Sequence, residues 1–347
     1  MPIIRKRTEE AVAEVKQAVE ADLDTSDFSF TTRKIEVDSV VSTGSTLLDL
    51  AISGKRRRGG GVPGGIMMEI FGGEGSGKTA ILAEICASVQ SKDGDAKFLD
   101  PEARLDKEYA RIYQMNLEIA DYSRPDTVTE VFEAIESWRP KNPKLINVIG
   151  TDSLAALSTE LEMTKGDKMG MKRAKEFSTG FRKTARLIVK NNWLLACTNQ
   201  TRQGDYGEVT PGGKAIAFYS SLRLRVSQKE LIYQEKDFNG KKIKKAIGIH
   251  SDIYIKKSTV DDPYREVPIY IIFGYGIDDI RANLQYYKDM MNLSVYHCPD
   301  GKTYQALNAA IKYIESNNLQ DDLKEKVIDL WEEAESKFNL NRIKKVR

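Results

Sequence analysis

Gly72-Gly73-Glu74-Gly75-Ser76-Gly77-Lys78-Thr79 has the spacing G-x-x-x-x-G-K-[ST] of a phosphate-binding loop. That spacing suits one chemistry, the holding of a nucleoside triphosphate with Mg²⁺. Glycines let successive backbone N–H groups turn inward onto phosphate oxygens, and a helix starting at the loop adds the positive end of its dipole. Lys78 then reaches the β- and γ-phosphates, and the Thr79 hydroxyl ligates Mg²⁺. Hydrolysis needs two further groups, one for the metal and one for the attacking water. "KLINVIGTDS" is an apolar run ending in Asp152, a carboxylate suited to Mg²⁺. "KFLDPEARLDKEYAR" has an apolar run ending at Asp100 with Glu102 just past it, a carboxylate able to activate water.

These groups need a strand–loop–helix frame. "IMMEIF" (66–71) reads as a short buried strand and "TAILAEICASVQ" as a helix with apolar residues at helical spacing. Further strands are expected at 96–99, 145–149, 194–197, 222–226, 252–255 and 267–273, with helices after several of the early ones. The pattern is α/β with a mostly parallel central sheet. It divides into an N-terminal helix–strand arm (1–34), a core (35–283) and a small helical C-terminal domain with a basic tail (284–347). The arm carries an amphipathic helix at 8–23, with Thr8 as its cap and Val12, Val15, Val19 and Leu23 on one face. That helix packs either on its own core or on a neighbouring subunit.

Composition narrows the classes. The chain has 347 residues, 41% hydrophobic and 30% charged, which describes a globular protein with room for a full core. A net charge of +2 confines any basic surface to local patches. Three dispersed cysteines without C-x-x-C, and two distant histidines, argue against a disulfide framework or a zinc site. No apolar run reaches membrane-spanning length, and the N-terminus lacks a signal-like apolar stretch, so a cytoplasmic protein is expected.

Several segments together carry a resemblance. "VVSTGSTLLDLAI", "GGEGSGKTA", "DPEARLDKEYAR", "TDSLAAL", "TNQTR", "GGKAIAFYSSLRLRV" and "FGYGID" follow, in order and spacing from about residue 41 to 278, the pattern of the RecA family of recombinases, bacterial and phage-encoded. The resemblance implies a RecA-type P-loop ATPase core that binds ATP and Mg²⁺. Gly72 to Ala80 would form the nucleotide loop, with Lys78 and Thr79 on phosphate and metal and Asp152 supporting Mg²⁺. Glu102 would activate the water, and Asp106 and Tyr109 would contact adenine, Tyr109 by stacking. Gln200 would sense the γ-phosphate and pass its state to the next loop; an amide can donate to a phosphate oxygen and lose that partner on hydrolysis.

The resemblance also implies two loops on DNA. One spans 164–173 and offers Lys165, Lys168, Met169, Gly170 and Arg173. The other spans 201–214 and offers Arg202, Tyr206, Gly212, Gly213 and Lys214. Cations neutralise phosphates, glycine amides approach the backbone closely, and Met169 or Tyr206 can wedge or stack between bases. Subunits would assemble on single-stranded DNA into a helical filament, sample double-stranded DNA and exchange strands. A hexameric DNA helicase of the same fold, or an ATP-gated annealing or mediator protein, would share part of this machinery.

Departures from the family pattern are local. The family completes its site with two lysines from the next subunit, two positions apart. Here Lys256 and Lys257 are adjacent; Lys256 fits the first role and Ser258 stands at the second position unless the segment is shifted by one residue, so completion from the next subunit is expected with altered geometry. The turn "GKRRRGGG" (54–61) is longer and more basic, and is either an added phosphate contact or a solvated loop. "NGKKIKKA" is expected at a hairpin tip. The chain ends basic rather than acidic, and any restraint on duplex binding would fall to the acidic helix near Glu332 and Glu333.

Overall fold

A computed structural model describes Val37 and residues 39–159, 170–204, 207–212 and 214–338; for 170, 171, 202–204 and 207–209 it describes the backbone alone. The chain divides into two compact units, Met1–Lys34 and Ile35–Arg347. The first, with the helix expected at 8–23, lies outside the described residues, as do the tail from 339 onward and most of the strand-like stretch 28–37.

In chain order the elements of the second unit are as follows. β1 (Val40–Val41) leads to α1 (Thr46–Ser53), then β2 (Val62–Pro63) and β3 (Ile66–Gly72). α2 (Lys78–Gln90), β4 (Ala96–Leu99), α3 (Lys107–Ile112), β5 (Asp121–Ser123) and α4 (Val128–Ser137) follow. After β6 (Asn147–Thr151) come α5 (Gly170–Lys190), β7 (Trp193–Gln200), β8 (Arg202–Gly204), β9 (Gly207–Val209) and α6 (Lys214–Tyr219). The chain continues through β10 (Leu222–Phe238), β11 (Lys241–Ser258), β12 (Glu266–Ile272), β13 (Gly276–Ile277) and α7 (Asp279–Met290). It closes with β14 (Tyr296–His297), β15 (Thr303–Tyr304), α8 (Leu307–Ser316) and α9 (Gln320–Ser336).

Among the described residues the main sheet has nine strands in the order β13-β12-β11-β10-β3-β7-β6-β4-β5. From β10 to β5 every neighbouring pair is parallel; from β10 to β13 every pair is antiparallel. The mostly parallel α/β architecture expected from the sequence is therefore present. β3 lies in the middle and all seven of its residues are buried. A strand covered on both faces is apolar on both sides, which explains why the run does not alternate; its one charge, Glu69, is buried with Arg223 as partner. Its side chains divide between two cores. Ile66, Met68 and Ile70 join the cluster of α1 and α2, whereas Met67 joins Phe132, Phe177, Phe181 and Trp193 under α4 and α5.

β10 and β11 run far past the expected 222–226 and 252–255. Leu222–Val226 pair with β3, but the strands continue to a two-residue turn at Asn239 (φ 53°) and Gly240 (φ 78°). Both turn residues are left-handed, the conformation that matches the twist of a tight hairpin. Apolar patterning marks only the buried root. The outer ribbon is exposed and held by backbone pairing, which leaves no such trace.

The C-terminal stretch is mostly helical. A small cluster of Leu284, Tyr296, Cys298, Ala310, Ile314 and Leu323 packs together. α9 also inserts Val327, Ile328 and Trp331 into the main core.

Candidate active site

The carboxyl ends of β3, β7, β6 and β4 share one edge of the sheet, the usual place for a ligand crevice in an open α/β sheet. A cleft of about 430 Å³ opens there, lined by the phosphate-loop segment Glu74–Ala80 together with Glu102, Asp152 and Gln200. It is the size of an ordinary small-ligand site.

The loop is built as the spacing predicts. Gly77 precedes α2 at φ 100°, and a Cβ there would lie 2.4 Å from Ile271 Cδ1. A Cβ on Gly72 would lie 2.1 Å from the Val226 carbonyl oxygen. At both positions only glycine lets the chain pass. Ser251 of β11 donates to the Ser76 carbonyl at 2.9 Å, tying the loop to the antiparallel half of the sheet. The Lys78 ammonium donates to the carbonyls of Gly72 (3.1 Å) and Gly73 (2.6 Å). Burial pushes it below the usual lysine range, while Asp152, Glu102 and Glu74 pull the other way.

Asp152 follows β6 and accepts from the hydroxyls of Thr198 and Thr79. Burial raises its carboxyl above the usual range against those two bonds, and Glu102 and Asp100 add to the rise. A cation beside it would favour the carboxylate. The donor set, one hydroxyl and one carboxylate, is hard oxygen and fits Mg²⁺, which characteristically takes one or two carboxylates and completes its shell from phosphate and water. Among the described residues there is no group of three or more Asp, Glu, His or Cys that could hold a metal ion.

Glu102 is only 13% exposed and is held from both sides. Its Oε1 accepts from Ser153 Oγ at 2.5 Å and Gln200 Nε2 at 3.4 Å, and its Oε2 lies 2.9 Å from Arg104 Nη1. Asp100, buried at the end of β4, accepts from Leu105 N (2.9 Å) and the Tyr122 hydroxyl (2.8 Å), so it fixes the loop that carries Glu102. Asp106 serves as the cap of α3 by accepting from Tyr109 N at 2.7 Å, and it does not line the cleft. Tyr109 does line it, with its ring 5.2 Å from Tyr113 and the two hydroxyls 3.2 Å apart. Sequence reasoning missed Tyr113, Ser153, Thr198 and Arg104. Tyr109 lies in α3 and Tyr113, four positions on, caps its C-terminal end, a spacing that could have found Tyr113.

Of the candidate DNA residues, Lys165, Lys168, Met169, Tyr206 and Gly213 lie outside the described residues. Gly170 begins α5, and Arg202 begins the short β8–β9 ribbon in the second loop. Arg173 Nη1 donates to the Leu157 carbonyl at 3.0 Å. Gly212 has φ 92°, and a Cβ there would be 2.4 Å from Ile216 Cδ1; Lys214 is exposed at the start of α6. The link from cleft to second loop is direct. Asn199, next to Gln200, donates to the Pro211 carbonyl (3.1 Å) and to Glu69 (3.0 Å), which is buried and paired with Arg223 at 2.5 Å.

Lys256 is exposed, whereas the Lys257 ammonium donates to the Ala217 and Phe218 carbonyls at 2.9 and 3.0 Å. Burial, and then Arg223, hold Lys257 below the usual lysine range. The basic turn is neither a bare loop nor an open cationic patch. Arg58 meets Glu325, Asp329 and Glu332 of α9 at 2.7–2.9 Å, and Lys55 meets Asp262 at 2.6 Å.

Residues 16–278 match the RecA N-terminal domain, a span that begins earlier than the motifs alone indicate and ends with them. The chain is similar to Protein RecA of Thermus aquaticus, 35% identical over 272 residues that cover 76% of this chain and 73% of that protein. It is also similar to Protein RecA of Borrelia hermsii, 32% identical over 299 residues (83% and 80%). Protein RecA of Listeria monocytogenes serotype 4a is 31% identical over 310 residues (85% and 84%).

Proposed function

The chain belongs to the RecA family, and from that premise we propose that it is an ATP-dependent DNA recombinase that forms helical filaments on single-stranded DNA and pairs and exchanges homologous strands in the cytoplasm. The observation that carries this reading is the convergence of Lys78, Thr79, Glu102, Asp152 and Gln200 on one cleft whose wall continues, through Asn199 and Pro211, into the second DNA segment.

The residues divide the work. Loop amides and Lys78 hold the phosphates, Tyr109 packs on the base, and Glu102 holds and deprotonates water. Mg²⁺, bound through Thr79 with Asp152 behind it, would neutralise charge on the β- and γ-phosphates. Gln200 already touches Glu102, so a γ-phosphate that draws its amide also moves the strand end from which the DNA segment departs. Segments 164–173 and 201–214 take the DNA backbone, and base pairing supplies specificity. Lys256 is the better placed of the adjacent lysines to reach a neighbouring subunit, because Lys257 is engaged at the end of α6. Residues 1–34 act as the oligomerisation arm, 35–283 as the core and 284–347 as the C-terminal domain.

Glu102→Gln tests the assignment. ATP hydrolysis in the presence of single-stranded DNA should fall by about a hundredfold or more, the range for loss of a general base. ATP-dependent filaments should persist or live longer in electron micrographs. Unchanged hydrolysis, or loss of filaments, would contradict the assigned role. Wild-type protein should also exchange strands between homologous substrates, and failure to do so would leave a DNA-dependent ATPase of another kind.

A further inference from the structure

Arg104 is a second cation in the cleft that no phosphate-loop motif announces. Among the described residues lining the cleft, Lys78 and Arg104 face three carboxylates, Glu74, Glu102 and Asp152. A polyphosphate entering such a site needs more positive charge than one lysine supplies.

We propose that Arg104 is a terminal-phosphate ligand acting within its own subunit: with a triphosphate in the cleft, its guanidinium turns from Glu102 to the γ-phosphate oxygens and leaves Glu102 Oε2 to the attacking water. The inference rests on the ATPase reading of the cleft and extends it to a residue to which the sequence assigns no role.

Three observations support it. The Arg104 side chain is 69% exposed, and its described partner is Glu102 at 2.9 Å. An ion pair that open is weak, so it is readily exchanged for a phosphate, and a guanidinium fork fits phosphate oxygens in pairs. Glu102 stays in place after the exchange, because Ser153 and Gln200 hold its other oxygen. The backbone is shaped for the purpose as well. Ala103, between the two side chains, has φ 53°, a left-handed conformation that a residue with a Cβ adopts only under strain. Such strain gathers at functional turns, and here both neighbours face the cleft while buried Asp100 fixes the loop at Leu105.

The chemistry balances without a further reactant. The water oxygen bonds to the γ-phosphorus as its proton passes to Glu102. The bond from the γ-phosphorus to the bridging oxygen breaks, and ADP leaves with that electron pair. Arg104 would bear on the charge of the transferring phosphoryl group and not on ADP.

Nucleotide affinities of the full-length protein supply the test, with ADP and ADP–aluminium fluoride, a mimic of the group in flight, as the probes. For Arg104→Ala the Kd for ADP should stay within about twofold, the Kd for ADP–aluminium fluoride should rise at least about tenfold, and kcat should fall by about ten- to a hundredfold. Arg104→Lys should recover part of the lost fluoroaluminate affinity. The proposal is overturned if both affinities fall in parallel, if neither changes, or if kcat rises, which would make Arg104 only a restraint on Glu102. A wild-type protein that neither hydrolyses ATP nor binds ADP–aluminium fluoride would sink the ATPase reading and this inference with it. A wild type that does both, beside an equally competent Arg104→Ala, sinks the inference alone.

Discussion

Arg58 in the basic turn and Arg104 beside the cleft are both exposed arginines paired with carboxylates, yet their surroundings differ in kind. Arg58 meets three acids of α9, and its neighbours are occupied too: Arg56 donates to the Val260 carbonyl and Arg57 to that of Val37. Among the described residues Arg104 has one acidic partner, in a cleft with more carboxylates than cations. The turn is the more basic stretch in sequence but the less available one after folding. A run of Lys and Arg therefore says little about polyanion binding until its internal partners are counted.

A third arginine sharpens the contrast. Arg223 pairs with Glu69, which is fully buried, and packs its guanidinium over Phe71 at 4.6 Å. Removing one partner of a buried pair strands the other, so Arg223→Ala should lower unfolding free energy by about 3–5 kcal/mol in denaturant titrations. A loss below about 1 kcal/mol would show that Glu69 finds another partner and would blur the distinction between buried and exposed pairs.

Three carboxyls on helices of the core, Asp49 on α1, Glu84 on α2 and Asp279 on α7, are raised above the usual range by loss of solvent. Glu84 is pushed up to about 7 by burial, against a backbone hydrogen bond from Ile277, and Asp279 and Asp49 raise it further. A carboxyl with a raised folded value binds its proton more tightly folded than unfolded. Its contribution is present below about pH 4.5 and is lost as pH climbs through about 7. Stability should thus decline from pH 5 to pH 8, by up to roughly 3 kcal/mol from this group. Glu84→Gln should flatten that slope, and an identical slope in the variant would remove Glu84 as its source.

The smallest effect belongs to the basic turn. Arg58→Ala should lower Tm by no more than about 2 °C and leave single-strand affinity unchanged, because exposed pairs contribute little. A clear drop in DNA affinity would restore the turn as a phosphate contact and break the comparison.

The cleft was largely legible in sequence because its chemistry depends on short spacings. Gly72 to Thr79 is contiguous, and Glu102 and Asp152 each follow an apolar strand by a few residues. What stayed hidden depends on distant or unpatterned partners. Arg58 finds its acids 267–274 positions away, a separation no local pattern carries. Ser153, Thr198 and Arg104 belong to no periodic motif, and their roles emerge only when β4, β6 and β7 end side by side. The outer hairpin escaped for the opposite reason, since exposed strands lack the burial pattern that reveals inner ones. Lys256 already fits the first of the two family positions in sequence, and the contact of Lys257 with the end of α6 sets the adjacent lysine apart from it.

The central claim is that nucleotide in the strand-end cleft controls the grip of segments 164–173 and 201–214 on DNA. It is tested most directly by titrating a fluorescent single-stranded oligonucleotide with the protein, with and without Mg²⁺ and a slowly hydrolysed ATP analogue. The expected result is at least tenfold tighter binding when nucleotide is present; equal affinity in both conditions would contradict it.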